Sequence, residues 1–178
     1  MIRTLSRDDE PRFRDHLLRL DEPSRHDRFL SAVGDSFLVE YARRCFTGDT
    51  LVVGFLSEDL VRAAGELHTT EPWIPQTGEA GLSVEQDYRN RGIGTRLLKR
   101  VITSARHRGF RHLRMNCHPR NLAMQAIARK FEAELHIEAG ETVGDIETGP
   151  PTAFSLLRQA LADVAEIGKA AIRLPLRR

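Results

Sequence analysis

The chain has 178 residues, a length typical of one globular domain. Apolar residues make up 40% of it and charged residues 29%, which is enough for a hydrophobic core beneath a charged surface, and no apolar run reaches the ~18 residues of a membrane-spanning helix. The net charge is only +2, but the segment between Tyr88 and Phe131 holds no acidic residue, and this imbalance favours an anionic partner.

The apolar spacing predicts an α/β domain with the element order β-α-α-β-β-β-α-β-α-β. Ser6 is placed to cap the first helix, and the acidic residues after it favour the helix dipole. In chain order, the predicted elements are a strand at Met1–Leu5, a helix at Arg7–Leu20, a helix from Pro23 to Cys45 with a break at Gly34, strands at Thr50–Leu56 and Leu60–Thr69, a loop at Glu71–Gly78, a strand at Glu79–Val84, a helix at Ile93–Arg108, a strand at Phe110–Asn116, a helix after Asn121 that ends near Phe131, and a weaker strand at Leu135–Ile137.

The predicted sheet is mixed rather than purely parallel. Ser57-Glu58-Asp59 is typical of a tight turn and makes a hairpin of the two strands beside it. We assign residues 1–150 to the domain itself and residues 151–178 to a C-terminal extension of it with a basic tail. Within that extension, the sequence allows a weak strand at Thr152–Leu156 or a helix that ends near Ala170.

Chemistry is most clearly indicated where the strand at Glu79–Val84 leads into the next helix. The connecting segment includes Arg89–Gly94, which reads Arg-Asn-Arg-Gly-Ile-Gly. Glycine allows a backbone to wrap closely around an anion, and the unpaired N–H groups and dipole of the following helix favour a pyrophosphate there. The Walker phosphate loop needs a Lys after its last glycine and the dinucleotide fingerprint needs a third glycine, so neither matches.

At these residues the chain resembles the GNAT superfamily of acyl-CoA-dependent N-acetyltransferases, whose motif is [Gln/Arg]-x-x-Gly-x-Gly. The strand before the motif, and the strand and turn that lead to the next helix at Met115–Asn121, strengthen the resemblance, which covers about Ile2–Ile137. It implies a GNAT-like acyl-CoA N-acyltransferase fold with a mixed central sheet flanked by helices. A second likeness, at Leu20–Phe29, is to the start of bacterial protein-lysine acetyltransferase domains, and an ordinary capped helix explains that segment as well.

The resemblance implies acetyl-CoA as co-substrate, without a metal, and assigns its contacts residue by residue. The backbone N–H of Leu82 is expected to donate to the thioester oxygen. Ser83 and Val84 are expected to pair with the pantetheine arm as an extra strand. Asn121 is expected to contact the cofactor, although Asn is also a favourable helix cap. The expected contacts around the pyrophosphate are Arg89, Asn90, Arg91, Gly92, Ile93, Gly94 and Thr95.

The reaction that the resemblance implies is direct attack of a substrate amine on the thioester, for which a charged amine must first lose a proton. Glu79 is our candidate general base, with Glu66 and His68 on the neighbouring strand as alternatives. Ala128 stands where many family members carry a Tyr as general acid, and Glu132-Ala133 replaces their Gly-Phe. The sequence therefore leaves the general acid open.

Two other functions compete with the enzyme. A nucleic-acid-binding domain would explain the basic segment, but its cations fall on the outer face of an amphipathic helix and no nucleic-acid-binding motif accompanies them. A catalytically silent acyl-CoA-binding module would explain the missing Tyr.

The acceptor amine stays open between a protein lysine and a small molecule, and we expect neither nucleic acid nor a membrane as a partner. A homodimer contact is expected in Thr152–Ala170. Cys45 and Cys117 match no metal or Cys-x-x-Cys spacing, and together with the polar N-terminus they predict a reduced, cytoplasmic protein.

Overall fold

The structure, a computed structural model of the chain, describes residues 1–69 and 77–149. Most of the predicted loop at Glu71–Gly78 lies outside these residues, as do the predicted C-terminal strand or helix, the basic tail and the expected dimer contact. Within the described ranges, no helix has the length and apolar character needed to cross a bilayer.

Seven strands and five α-helices account for the regular structure of the described residues, together with short 3-10 turns at Arg7–Asp9 and Gln86–Tyr88. The strands are β1 (Ile2–Thr4), β2 (Leu51–Ser57), β3 (Leu60–Thr69), β4 (Thr77–Val84), β5 (His112–Cys117), β6 (Glu134–Glu138) and β7 (Glu141–Glu147). The helices are α1 (Glu10–Arg19), α2 (Glu22–Phe29), α3 (Asp35–Thr47), α4 (Ile93–His107) and α5 (Leu122–Arg129).

The strands form one sheet in the order β1-β2-β3-β4-β5-β7-β6, and only β4 and β5 run parallel among the described pairs. β2 and β3 pair as the predicted hairpin, with Ser57 opposite Leu60. Glu58 and Asp59 have φ angles of 53° and 58°, which are typical of the two-residue turn whose twist matches that of its strands. The predicted mixed sheet flanked by helices is confirmed.

The sequence does not predict β7, yet this strand fills the space between β5 and β6. Its apolar residues Val143 and Ile146 are separated by Gly144 and Asp145, so the alternation expected of a strand is interrupted. The turn before it, at residues 139–140, has φ angles of 49° and 86° and returns the chain from β6 as a hairpin. β7 is therefore held between β6, its hairpin partner, and β5, which is distant in sequence.

Two helix boundaries also differ from the prediction. The main-chain N–H of Ser6 donates to the Asp9 carboxylate at 3.0 Å, so the first helix begins with a 3-10 turn and α1 starts at Glu10. The helix predicted from Pro23 to Cys45 is divided into α2 and α3, because Leu30 takes a left-handed φ of 56° and ends α2. The predicted break at Gly34 is where α3 is capped.

Helices cover both faces of the sheet and create two hydrophobic clusters. On one face, α4 packs on β2, β3 and β4 through the buried side chains of Leu97, Leu98 and Val101, at the helical spacing read from the sequence. On the other face, α1 and α3 enclose Phe13 and Leu38. The short helix α2 has no buried residue and lies against β4 on this second face.

Candidate active site

The parallel strands β4 and β5 separate soon after they meet. Only three residue pairs join them, from Thr77 opposite His112 to Glu79 opposite Arg114. Beyond that point, the rest of β4 and the rest of β5 enclose a cleft of about 580 Å³. Its walls also include part of α2, the loop after β4, and α5. A parallel sheet that opens in this way exposes main-chain hydrogen-bonding groups that a ligand can use.

The register of β3 and β4 determines which main-chain groups face the cleft. The N–H of Glu85 donates to the carbonyl of Arg62 in line with β3 at 3.0 Å. Hydrogen-bonded and non-bonded residues alternate along antiparallel strands, so Leu82 and Val84 direct their N–H and C=O groups away from β3 and into the gap. Ser83 differs from our expectation, because the same alternation turns its main-chain groups towards β3 and leaves only its side chain for the cleft.

The glycine-bearing loop adopts the left-handed geometry that an anion site requires. Asn90 has a φ of 58° and Gly92 a φ of 70°, and Gly92 is the N-cap of α4. The first helical hydrogen bond is donated by the N–H of Arg96 to the carbonyl of Gly92 at 3.1 Å, which leaves the earlier amides of the helix without helical partners. No acidic residue lies in the first turn of α4. The loop therefore offers N–H groups and a positive helix end to an anion.

The sequence-predicted cofactor residues converge on this cleft with one exception. The exception is Arg91, whose guanidinium lies over the ring of Tyr88, 5.4 Å from its centre. The predicted residues that line the cleft are Leu82, Ser83, Val84, Arg89, Asn90, Gly92, Ile93, Gly94, Thr95 and Asn121.

Gly94 and Asn121 serve the packing and capping of the two helices beside the cleft. A Cβ on Gly94 would stand 3.0 Å from Cδ1 of Ile127, so the absence of a side chain allows α4 to approach α5. The Asn121 Oδ1 accepts a hydrogen bond from the N–H of Met124 at 3.0 Å and so caps α5. The cofactor contact of Asn121 stays a prediction.

Arg89 connects the glycine-bearing loop Arg89–Gly94, called the anion loop below, to α2. Its Nε donates to the carbonyl of Val84 at 3.2 Å, and its Nη2 donates to the hydroxyl of Ser24. The Asp21 carboxylate caps α2 by accepting from the N–H of Ser24 at 2.8 Å and lies 3.9 Å from the Arg89 guanidinium. The loop is therefore attached to the second face of the sheet by a contact 65 residues apart in sequence.

Glu66 is fully buried in a polar network below α2. Its Oε2 accepts hydrogen bonds from Arg28 at 2.7 Å and from the hydroxyl of Tyr41. Burial alone would raise the pKa of Glu66, but the Arg28 charge and the hydrogen bonds from His68 and Tyr41 outweigh it and hold the pKa well below its usual range. Glu66 is therefore ionised at neutral pH as the partner of Arg28, and its low pKa is unfavourable for a group that must accept a proton.

The three candidate bases occupy different surroundings. His68 contacts Glu66 at 3.2 Å through Nε2 and the hydroxyl of Thr50 at 3.2 Å through Nδ1, so both ring nitrogens have protein partners. Glu79 lies directly opposite His68 in the sheet, is half-buried and lines the cleft. Of the three, Glu79 and not Glu66 or His68 borders the cleft.

A second buried network of polar side chains, which the sequence did not predict, joins α1 to the end of β4. Nε2 of His16 lies 2.8 Å from the Ser83 hydroxyl, and its Nδ1 lies 3.1 Å from Oε1 of Glu85. Burial lowers the pKa of His16, and the Glu85 hydrogen bond opposes this only in part. Arg19 and Arg62 donate to the same Glu85 carboxylate at 2.9 Å and 3.1 Å. The network fixes α1 against the end of β4, and no local sequence signal reveals it.

The end of α5 departs from the resemblance as the sequence indicated. Ala128 is buried, lies outside the cleft lining, and would be 3.8 Å from a Cβ placed on Gly144 of β7. Glu132 has a φ of 59°, the left-handed geometry that usually selects Gly after a helix. The backbone at Glu132 thus keeps the conformation expected of the family's glycine, although the residue is Glu.

Comparison with known proteins agrees with the geometry of the loop and the gap. The model of the acetyltransferase (GNAT) family matches residues 2–132 of the chain. The chain belongs to this family. The match includes β4, the anion loop, α4 and α5, which together surround the cleft.

Solved GNAT structures share the fold at low sequence identity. The GNAT domain of S. lividans PAT is 17% identical with a TM-score of 0.72, over 82% of this chain and 89% of that one. The ribosomal-protein-alanine N-acetyltransferase of Brucella melitensis is 18% identical with a TM-score of 0.66, over 83% and 99%. The PaiA N-acetyltransferase of Thermoplasma acidophilum, solved with coenzyme A, is 15% identical with a TM-score of 0.60, over 83% and 98%.

Proposed function

We propose that this GNAT protein transfers the acetyl group of acetyl-CoA to a primary amine by direct attack. The observation that carries the proposal is the gap between β4 and β5, which leads from the amides at the start of α4 to the carboxylate of Glu79. The amides at the start of α4 suit the pyrophosphate, and the main chain of Leu82 and Val84 suits the amides of pantetheine. The PaiA structure, which has the same fold, was solved with coenzyme A, and this supports coenzyme A as the ligand of the cleft.

The reaction begins with removal of a proton from the amine. An alkyl ammonium has no lone pair for attack, and at neutral pH it is the main form of such an amine. The Glu79 carboxylate takes one proton, directly or through a water, and the nitrogen lone pair then forms a bond to the thioester carbon. The Leu82 N–H donates to the carbonyl oxygen as negative charge develops on it.

Collapse of the tetrahedral intermediate breaks the carbon–sulfur bond. The electron pair leaves with the sulfur of coenzyme A as a thiolate, and the new amide nitrogen loses its remaining extra proton to water. With Ala128 in place of a Tyr, the thiolate departs without that acid, which the modest basicity of a thiolate permits. Water then protonates the thiolate.

The proposal is tested by measuring thiol release from acetyl-CoA in the presence of a panel of amines. Nα-acetyl-lysine amide, spermidine and n-butylamine represent protein lysine and small acceptors. We expect amine-dependent thiol release and a product heavier by one acetyl group in the mass spectrum. Binding of acetyl-CoA without turnover on any amine would instead support the silent acyl-CoA-binding module, which the Ala128 substitution favours.

Replacement of Gly92 by Asp tests the anion loop. Nothing lies within 4 Å of a Cβ at this position, so the variant is expected to fold despite the φ of 70°. A carboxylate about 5 Å from a phosphate costs about 3 kcal/mol near a protein surface, which corresponds to a loss of about a hundredfold in affinity. Isothermal titration with coenzyme A measures this loss.

The matched control is Gly109→Asp. Gly109 has a φ of 83°, equally open surroundings and a place just after α4, so it introduces the same charge and backbone strain away from the loop. Its affinity for coenzyme A should equal that of the wild type. Wild-type affinity in Gly92→Asp would show that the pyrophosphate binds elsewhere.

A further inference from the structure

Asn116 carries a buried acceptor that no described group satisfies. Its Oδ1 is shielded from solvent, has no hydrogen-bond partner and belongs to a side chain that lines the cleft. An amide oxygen has two acceptor lone pairs, and leaving them unpaired in a buried site is costly. A donor supplied by a ligand in the cleft would remove this cost.

The sheet register locates Asn116 at the closed end of the gap. Glu79 and Arg114 form the last recorded pair of β4 and β5. Two residues farther along each strand lie Gly81 and Asn116, which therefore face each other across the start of the gap. Because side chains alternate, Asn116 points to the same face of the sheet as Glu79. The anion loop lies at the opposite, open end, after Val84.

This position separates Asn116 from the pantetheine arm. In the proposed orientation, the pantetheine amides contact the main chain of Leu82 and Val84. The thioester then lies deeper in the gap than the rest of the coenzyme, next to the closed end. The substrate group that can supply an N–H at the level of Gly81 is then the attacking nitrogen. Asn116 and Glu79 approach that nitrogen from two different strands.

The charges around the closed end favour a cationic acceptor. The Arg28 guanidinium covers Gly81, where a Cβ would stand 2.2 Å from its Nη2, but Arg28 is neutralised by the fully buried Glu66. Glu79 and Asp27 also line the cleft, and neither forms an ion pair among the described residues. The remaining net charge at this end is therefore negative.

We infer that the closed end of the gap binds the acceptor as a primary alkylammonium, with one N–H donated to Oδ1 of Asn116 and another to Glu79. The inference rests on the proposed function, since it assigns an acceptor class and a new binding residue to the same site. Once Glu79 has taken its proton, the hydrogen bond to Asn116 holds the amine so that its lone pair faces the thioester carbon. A neutral aromatic amine gains less from this site because it carries no charge.

The test uses two variants whose side chains branch at Cγ as that of Asn does, Asn116→Leu and Asn116→Asp, on the full chain. Asn116→Leu removes the acceptor and should raise the KM for n-butylamine by about tenfold or more, with the Kd for acetyl-CoA unchanged. Asn116→Asp restores an acceptor and should return the KM to within a few-fold of wild type. With aniline as acceptor, Asn116→Leu should change the KM less. His112→Leu, on the same strand and face but exposed, four residues before Asn116 and outside the cleft, is the control and should leave all constants unchanged.

A binding readout makes the test independent of turnover. We expect n-butylammonium to bind the coenzyme A-loaded protein in an NMR titration, and Asn116→Leu to weaken this Kd by a similar factor. Unchanged KM and Kd in Asn116→Leu, or no binding of n-butylammonium by the wild type, would overturn the inference. A weaker Kd for acetyl-CoA in Asn116→Leu would also overturn it, because Asn116 would then contact the coenzyme. Absence of turnover together with Asn116-dependent butylammonium binding would refute the proposed function and leave the ammonium site standing.

Discussion

Replacement of Glu79 by Gln should lower turnover of the amine by about 10²–10⁴-fold, the usual contribution of a general base. The affinity for coenzyme A should not change, because Glu79 lies at the closed end of the cleft, away from the anion loop. The residual rate should increase with pH, since only amine that is already uncharged in solution can then react. Steady-state kinetics at several pH values and a coenzyme A titration measure both effects.

Glu147→Gln is the control for loss of one strand carboxylate. Glu147 is exposed at the end of β7 and does not line the cleft, so its variant should match the wild type. Wild-type turnover in Glu79→Gln would remove Glu79 from the mechanism. Glu79 also acts electrostatically on Arg28. If Glu79→Gln lowered the free energy of unfolding as much as it raised the activation free energy, Glu79 would have a structural role instead.

Replacement of Glu66 by Gln should destabilise the protein by about 3 kcal/mol, the lower end of the cost of leaving a buried charge without its partner. The lower end is expected because Arg28 keeps 12% of its side chain exposed, at the cleft, where water can reach it. Denaturant unfolding measures the change. Glu40→Gln is the matched control, since Glu40 and Arg43 form a pair of the same 2.7 Å length on the surface and its loss should leave stability unchanged.

The effect of Glu66→Gln should depend on pH in a defined direction. The pKa of Glu66 is lower in the folded protein than in the unfolded chain. Its contribution is therefore fully present above the unfolded pKa of about 4.3 and is lost as the pH falls towards the folded value. The difference in unfolding free energy between wild type and variant should narrow in acid. A difference that stays constant down to pH 3 would contradict the assigned ion pair.

The parts of the site that the sequence predicted are those with local signals. Gly92 and Gly94 mark the loop because the required φ and the close helix approach depend on the residue itself. The hairpin at Ser57–Leu60 is similarly encoded by its own turn and by alternation.

The missed parts depend on contacts between distant segments. His16 meets Ser83 across 67 residues, and Arg28 meets Glu66 across 38, so no local pattern reports either pair. The same applies to the strand at Glu141–Glu147. Its Gly and Asp interrupt the apolar alternation, so the sequence alone does not mark it as a partner of β5. Asn116 lies within the Met115–Asn121 segment, but no sequence pattern marks it, because its unsatisfied oxygen becomes visible only when burial is known.

The pairing of β4 with β5 is short and lies in the middle of the sheet. Only three residue pairs join β1–β4 to β5–β7, and the remaining cohesion between these halves comes from the helices packed across them. A coenzyme whose amides hydrogen-bond to Leu82 and Val84 would add contacts along this short junction. Binding of the coenzyme would then raise the free energy of unfolding by mass action. The free and coenzyme-bound proteins would therefore differ in rigidity as well as in chemistry.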